Sequence, residues 1–330
     1  MDRDVHGAVR PFTIAVALTL GVGLLAIGLL PVSQRSVTIA FAGDIMLGRG
    51  VAQAHQQCCW DLALAALAPC TASVDLAFAN LESPLTSSPL TWETYDLRAP
   101  FESHVALAAA GLDVVSLANN HITDAGDQGL EDTMAALRAA SVVGLGPSDL
   151  PWTTTLGGLK LVLLAFEDVL EPLDLRQAQS ALESQRGRAD LLIVSMHWGN
   201  ELESLPNARQ RMLARGLAAA GADIIIGHHP HVLQTVEWIW GEGRGRPTLV
   251  AYSLGNALFD QAAPPATRQG ALLLVQAGPT GAVHLCVFPF QLDPRTWDII
   301  PASPEAAARI AQHLGISCLL PSPCSLEPLH

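Results

Sequence analysis

Apolar, β-branched runs that stop at a metal-binding type of residue recur along this chain, and that repetition restricts the fold more than any other feature. Val37 to Ala42 runs into Gly43-Asp44-Ile45-Met46-Leu47-Gly48-Arg49. Val74 to Ala79 delivers Asn80-Leu81-Glu82, and Asp113 to Leu117 delivers Ala118-Asn119-Asn120-His121, with Asp124 and Gly126 beyond. Leu191 to Met196 ends in His197-Trp198-Gly199-Asn200-Glu201. The sharpest case is Asp223 to Gln234, where Ile224, Ile225 and Ile226 precede Gly227, His228, His229, Pro230 and His231. Pro230 fixes φ and removes a backbone donor, so the loop is stiff where the imidazoles emerge. A lone His-x-His is usually a solvated loop, with rings on opposite sides of an extended segment. A turn at Gly227 and Pro230 brings both rings toward one point, and the repetition of such strand ends argues for a shared site.

Between these runs lie helical patterns at Leu62–Ala68, His104–Gly111, Leu130–Ala140, Ala178–Arg188 and Ala208–Ala220. Strand–helix alternation predicts an α/β fold with mostly parallel sheet, whose carboxyl edge collects the polar groups. Ala271 to Gln276 and Ala282 to Phe288 read as a hairpin turned at Gly278-Pro279, and Pro304 to Leu314 as a last helix. The Pro-, Ser- and Thr-rich stretch from Ser83 to Pro100 reads as a long loop over the site.

Asp44, Glu82, Asn120, His197, His229 and His231 then supply two carboxylates, an amide oxygen and three imidazoles. Oxygen donors mixed with imidazoles suit Mn, Fe or Zn better than Ca or Mg. Six ligands exceed one tetrahedral zinc, so two neighbouring divalent ions are expected, an arrangement that clamps a phosphoryl group during in-line displacement. His121, beside Asn120, is left to protonate a leaving oxygen. Asp124 either orients His121 or caps the next helix. Arg49 is placed to neutralise a phosphate or carboxylate of the substrate. His228 has no clear role, and His55, His104, His284 and His313 read as ordinary surface or core residues.

From Phe12 to Leu30 the chain has no charged residue, 19 positions in all, enough to cross a bilayer core as a helix. Arg3 and Arg10 precede it, so residues 1–11 are expected as a cytoplasmic tail, 12–31 as an uncleaved signal anchor, and the remainder outside. The rival is a cleaved signal peptide, but Pro31 to Ser36 offers no good small-x-small site. The 6 cysteines then face an oxidising compartment. Cys58 or Cys59 with Cys70, and Cys318 with Cys324, are the local pairing candidates. A formal charge of −13 argues against nucleic acid and against a polybasic membrane-surface mode.

These blocks, in this order over about residues 36 to 290, resemble the CapA (PgsA-like) family of bacterial poly-γ-glutamate capsule-biosynthesis proteins. The matching residues are Gly43 to Met46 with Arg49, Asn80 to Glu82, Leu117 to Asp124 with Gly126, His197 to Gly199 with Glu201, Gly227 to Gln234, and Tyr252 to Asn256. The family is similar to calcineurin-like metallophosphatases. The resemblance therefore implies a sandwich of two β-sheets packed face to face with helices outside, spanning 36–292; residues 293–330 read from their own composition as a C-terminal helix and loosely ordered tail. It also implies an amino-terminal membrane anchor, an anionic polymer such as poly-γ-glutamate or a phosphoester as ligand, and capsule-synthase subunits as partners. Two departures stand out: Met46 occupies the place where metallophosphatases usually carry the histidine of Asp-x-His, and Glu82 stands roughly where their bridging aspartate would be. The functional readings that follow are a cell-surface metallohydrolase and a non-enzymatic partner of a polyglutamate synthase.

Overall fold

The computed structural model describes residues 35–91, 95–146, 150–241 and 245–320. In chain order β1 (Val37–Ile45), helix α1 (Arg49–His55), α2 (Ala68–Thr71), β2 (Leu76–Leu81), α3 (His104–Ala109), β3 (Val114–Ser116), α4 (Gly126–Ala139) and β4 (Val143–Leu145) make the first half. There follow β5 (Trp152–Leu156), β6 (Leu159–Glu167), α5 (Leu175–Glu183), β7 (Leu191–His197), α6 (Ala208–Ala220), β8 (Ile224–His228), β9 (Leu233–Ile239) and β10 (Thr248–Leu254). The chain closes with β11 (Asn256–Leu258), β12 (Gln269–Gly278), β13 (Gly281–Leu292), β14 (Ile299–Pro301) and α7 (Pro304–Leu314).

The strands form two mixed sheets. The first has 8 strands in the order β14-β13-β12-β1-β2-β3-β4, with β11 beside the end of β1; the second has 6, ordered β5-β6-β7-β8-β10-β9. In the first, parallel β1 to β4 run out to one edge and antiparallel β12, β13 and β14 lie beyond β1; in the second, parallel β6, β7, β8 and β10 are flanked on both sides by antiparallel β5 and β9. Alternation along each strand sorts side chains between layers. Ile39 and Phe41 of β1 face Leu161, Leu163, Ile193, Ile224 and Ile226 in a core between the sheets. Ala40 and Ala42 join Leu107, Ala136 and Leu137 beneath the outer helices of the first sheet. Val162, Leu164 and Ile225 pack with Ala178, Leu182, Leu213 and Leu217 of α5 and α6 on the other side. The sandwich with helices outside is thus a four-layer arrangement.

One device recurs where the parallel strands begin. The residue just before a strand is an aspartate whose carboxylate accepts the backbone N–H of the neighbouring strand. Asp75 accepts from Thr38 (2.8 Å), Asp113 from Ala77 (2.7 Å), Asp190 from Lys160 (2.8 Å) and Asp223 from Leu192 (2.9 Å). In return each aspartate's own N–H donates to the carbonyl of that same neighbouring residue, at 2.8 to 3.0 Å. These reciprocal pairs fix register at the amino ends, and with it the level at which the carboxyl ends deliver their side chains.

Several expectations are corrected. Leu62–Ala68 is not one helix: 3-10 turns at Trp60–Leu62 and Ala65–Leu67 lead into α2, because Pro69 cannot continue a preceding helix. The sheet-bearing region does not stop at 292. β14 extends the first sheet beyond β13, and Ile310, Ala311 and Leu314 of α7 enter the core between the sheets. The local cysteine pairings also fail. Cys58 is bonded to its neighbour Cys59, leaving neither for Cys70, which is buried and itself disulfide-bonded. Cys318 is bonded to Cys286, because Leu319 bridges Val287 and lays the two cysteines side by side. The apolar run Phe12–Leu30 lies outside the described residues; among those, no helix is long and apolar enough to cross a membrane.

Candidate functional site

The carboxyl ends of β1, β2, β3, β7 and β8 meet at one edge of the sandwich. The chain passes there from the second sheet to the first at Gly255, which joins β10 to β11 with φ +67°. A Cβ on Gly43 would lie 1.8 Å from the Gly255 carbonyl oxygen, so only glycine admits this crossing. The Asp44 N–H donates to that same oxygen at 3.0 Å, which sets the carboxylate at the junction of the two sheets.

All six residues expected as ligands converge. Asp44 and Glu82 are fully buried, and His197, His229 and His231 nearly so. His197 Nε2 lies 2.7 Å from Asn120 Oδ1 and 3.9 Å from Glu82 Oε1. His231 Nδ1 lies 3.4 Å from Asp44 Oδ2, and its Nε2 lies 3.9 Å from Glu82 Oε2. The His229 ring is 4.8 Å from that of His197 and 5.8 Å from that of His231. The backbone is bent to achieve this: His229 and His231 take φ of +94° and +58°, and Arg49 takes +47°, a region that costs a side-chain-bearing residue about 1–3 kcal/mol.

Residues with no role assigned from sequence hold the set in place. Asn80, near the end of β2, and Glu82, just past it, are two apart in extended chain and share a face. The Asn80 amide donates to Asp44 Oδ1 (2.9 Å) and Glu82 Oε1 (3.1 Å). Asn119 donates to Asn80 Oδ1 (3.2 Å) and accepts from the N–H groups of His121 and Ile122, tying the His121 turn to the carboxylates. Asn256 Oδ1 lies 3.0 Å from His231 Nδ1, an arrangement that aims Nε2 inward. His228, ambiguous in the sequence, is buried against Asp44: Nδ1 stands 3.3 Å from Oδ1 but off the line of a hydrogen bond.

Burial and crowding set the charges. Burial alone would raise the Asp44 carboxyl, but His228 and His231 beside it hold it well below its ordinary range. Burial pushes Glu82 well above its ordinary range, despite the opposing pull of His231. Burial depresses His197 strongly, and burial with the neighbouring His231 brings His229 to about 4. His231 goes the other way, to about 9, because Glu82 and Asp44 outweigh its burial.

The donor set fits a divalent metal on an independent ground. Glu82 Oε2 and His229 Nδ1 are buried without a hydrogen-bond partner. An unsatisfied buried group costs about 1–3 kcal/mol, more if charged. Asp44, Glu82 and His197 form one group able to hold an ion, and Glu201, His229 and His231 another.

His121 stands at the rim, with Nδ1 2.9 Å from Asp124 Oδ2 and Nε2 3.0 Å from the Asn120 amide nitrogen. Asp124 makes no cap for α4, whose N-cap is Ala125 with no side-chain cap bond, so of its two expected roles the structure keeps the orienting one. Arg49 is not open to a ligand as expected: it grips Asp260 through Nε and Nη2, and Asp260 also accepts the Gly50 N–H at 2.8 Å. Met46 is 0 % exposed in the outer core, its sulfur accepting the Gly48 N–H, and supplies no ligand to the cluster. His55 and His313 serve as structural side chains, bonded to the carbonyls of Thr296 and Leu233.

A two-sheet α/β sandwich flanked by helices, with carboxylate, amide and imidazole donors gathered at its carboxyl edge, defines the class of this protein. A crystal structure described as a novel phosphatase from Mycoplasma pneumoniae shares that fold, with a TM-score of 0.51 at 15% identity, covering 80% of this chain and 96% of that one. Residues 38–261 match the family described as bacterial capsule synthesis protein PGA_cap, and the chain belongs to that family. It is 32% identical to the capsule biosynthesis protein CapA of Bacillus anthracis, over 79% of this chain and 70% of that one. It is likewise 32% identical to the PGA biosynthesis protein CapA of Bacillus subtilis (strain 168), over 80% and 74%.

Proposed function

We propose that this chain is a membrane-anchored capsule-biosynthesis protein whose extracytoplasmic domain holds two divalent metal ions and handles an anionic polymer of the poly-γ-glutamate kind. Asp44, Glu82, Asn120, His197, His229 and His231 would hold the ions. The observation that carries this reading is the pair of buried, partnerless atoms, Glu82 Oε2 and His229 Nδ1, inside a converged donor set. Such an ion pair supplies Lewis acidity and concentrated positive charge against carbonyl, carboxylate or phosphoryl oxygens. An acidic protein needs that charge to approach a polyanion, since Arg49 is committed to Asp260.

Hydrolysis of a phosphoester or an amide-linked polymer is the second reading, favoured by the His121–Asp124 pair. Asp124 orients the ring through Nδ1, leaving Nε2 as the atom that delivers a proton to a leaving group. A partner of the polymer synthase without chemistry has no need of such a pair. The test is capsule polymer made by cells carrying His121→Ala or His229→Ala, together with phosphodiesterase and polymer-cleavage assays of the purified full chain. Loss of polymer in both variants with cleavage by the wild type supports the hydrolase; polymer lost only in His229→Ala supports binding alone. Normal polymer from both would contradict the site having any role.

A further inference from the structure

The cavity beside His121 carries the wrong charge for the interior of a polyanion. It encloses about 290 Å³ and is lined by Tyr95, Asn120, His121, Asp124, Leu170 and Glu201, among others. Two of these are carboxylates and none is lysine or arginine. On the far side of Glu201 lies a second cavity, which His229 also lines; its one arginine, Arg209, is already paired with Asp168. His229, 5% exposed, lines this cavity as well as the proposed ion site.

Glu201 is held where both cavities open. Gly199 takes φ +88°, and a Cβ there would meet the Gln210 side chain at 2.6 Å. Leu202 takes φ +64°, and its N–H donates to the Pro230 carbonyl at 2.9 Å, pinning this loop to the one that bears His229 and His231. The carboxylate comes within 4.8 Å of nitrogens on both imidazoles. Tyr95 and Leu170, 62% and 63% exposed, give the first cavity apolar walls. An acidic group at the mouth, apolar walls and a pinned backbone describe a pocket for an ammonium group on an aliphatic stem.

A polyglutamate chain carries a carboxylate at every residue and one cation, its terminal ammonium. We infer that Glu201 selects that amino-terminal end, so the site engages the polymer by its end and not along its interior. This rests on the polymer reading given above. With Glu201 accepting a charge-assisted hydrogen bond from the ammonium, the carboxylates of the same chain are left to meet the metal ions.

The test uses the metal-loaded full chain in detergent and synthetic γ-linked glutamate oligomers of equal length, one with a free amino end and one N-acetylated. Wild type is expected to bind the free-amine oligomer about two- to fivefold tighter at low salt, the usual worth of an ion pair at an exposed carboxylate. Glu201→Gln is expected to bind both equally, and its metal content is measured alongside because Glu201 also lies within reach of an ion held by His229 and His231. Equal binding of the two oligomers by wild type would overturn the end-recognition inference while leaving the polymer reading intact. An undiminished preference in Glu201→Gln would assign the selection elsewhere and overturn it too. Loss of metal in Glu201→Gln would make Glu201 a ligand and overturn its role as selector. Binding of neither oligomer would contradict the polymer reading itself.

Discussion

At the scale of single residues, the proposed site divides into groups placed to hold an ion and a His121–Asp124 pair placed to move a proton. His229→Ala should lower metal content and remove the stability gained from binding, because its ring nitrogen has no protein partner to satisfy it. His121→Ala should leave metal content unchanged; if the hydrolytic reading holds, turnover should fall by roughly two to four orders of magnitude. Metal analysis beside a cleavage assay separates the two. The titrating groups give a further expectation for the metal-free protein. His229, depressed to about 4, contributes stability above the ordinary histidine value and loses it as pH falls toward 4. His231, raised to about 9, contributes fully below about 6.5, and that stability is lost as pH rises through 9. Glu82, raised by burial, adds to the loss on the alkaline side. Chelated protein should therefore be most stable at or somewhat below about pH 6.5, and metal binding should release protons. A urea midpoint that climbs steadily from pH 6 to pH 9 in the chelated protein would contradict this.

At the scale of elements, the aspartates at the strand starts make a different kind of prediction. Asp223 accepts the Leu192 N–H and also pairs with Arg246 at 2.7 Å, while its side chain is fully buried. Asp223→Ala strands both partners and should cost about 2–4 kcal/mol in denaturant unfolding, with a smaller loss for the exposed Asp113. The same elements show what sequence carried. Strands whose carboxyl ends deliver the candidate ligands were legible, because each couples a buried apolar run to a polar stop. β9 was not: in Leu233–Ile239 the apolar and polar residues suit a sheet edge as well as a loop. β5, rich in threonine and antiparallel at the other edge, was equally silent. Among site residues, ligand-type side chains announced themselves, while Asn80, Asn119 and Asn256 did not. An amide that orients a neighbour has no spacing of its own, and only the face shared by Asn80 and Glu82 hinted at it. Arg49 read as available because sequence cannot show Asp260, 211 positions away, closing on it.

At the scale of the whole molecule, one edge of a two-sheet frame carries the candidate site, and the rest of the frame keeps that edge level. An uncleaved anchor at 12–31 predicts that protease shaving of intact cells removes the outer domain, and that the full chain sediments with membranes. A mature chain beginning near Gln34 in the medium would contradict the anchor. The central claim is that the buried donor set holds divalent metal, and its most direct test is the metal content of the full chain purified without chelator. The account predicts close to two ions per chain in wild type, a clear loss in His229→Ala, and a lower melting temperature once the ions are stripped. Wild-type protein that carries no metal, takes up none of Mn, Fe or Zn on titration, and melts identically with and without chelator would contradict it.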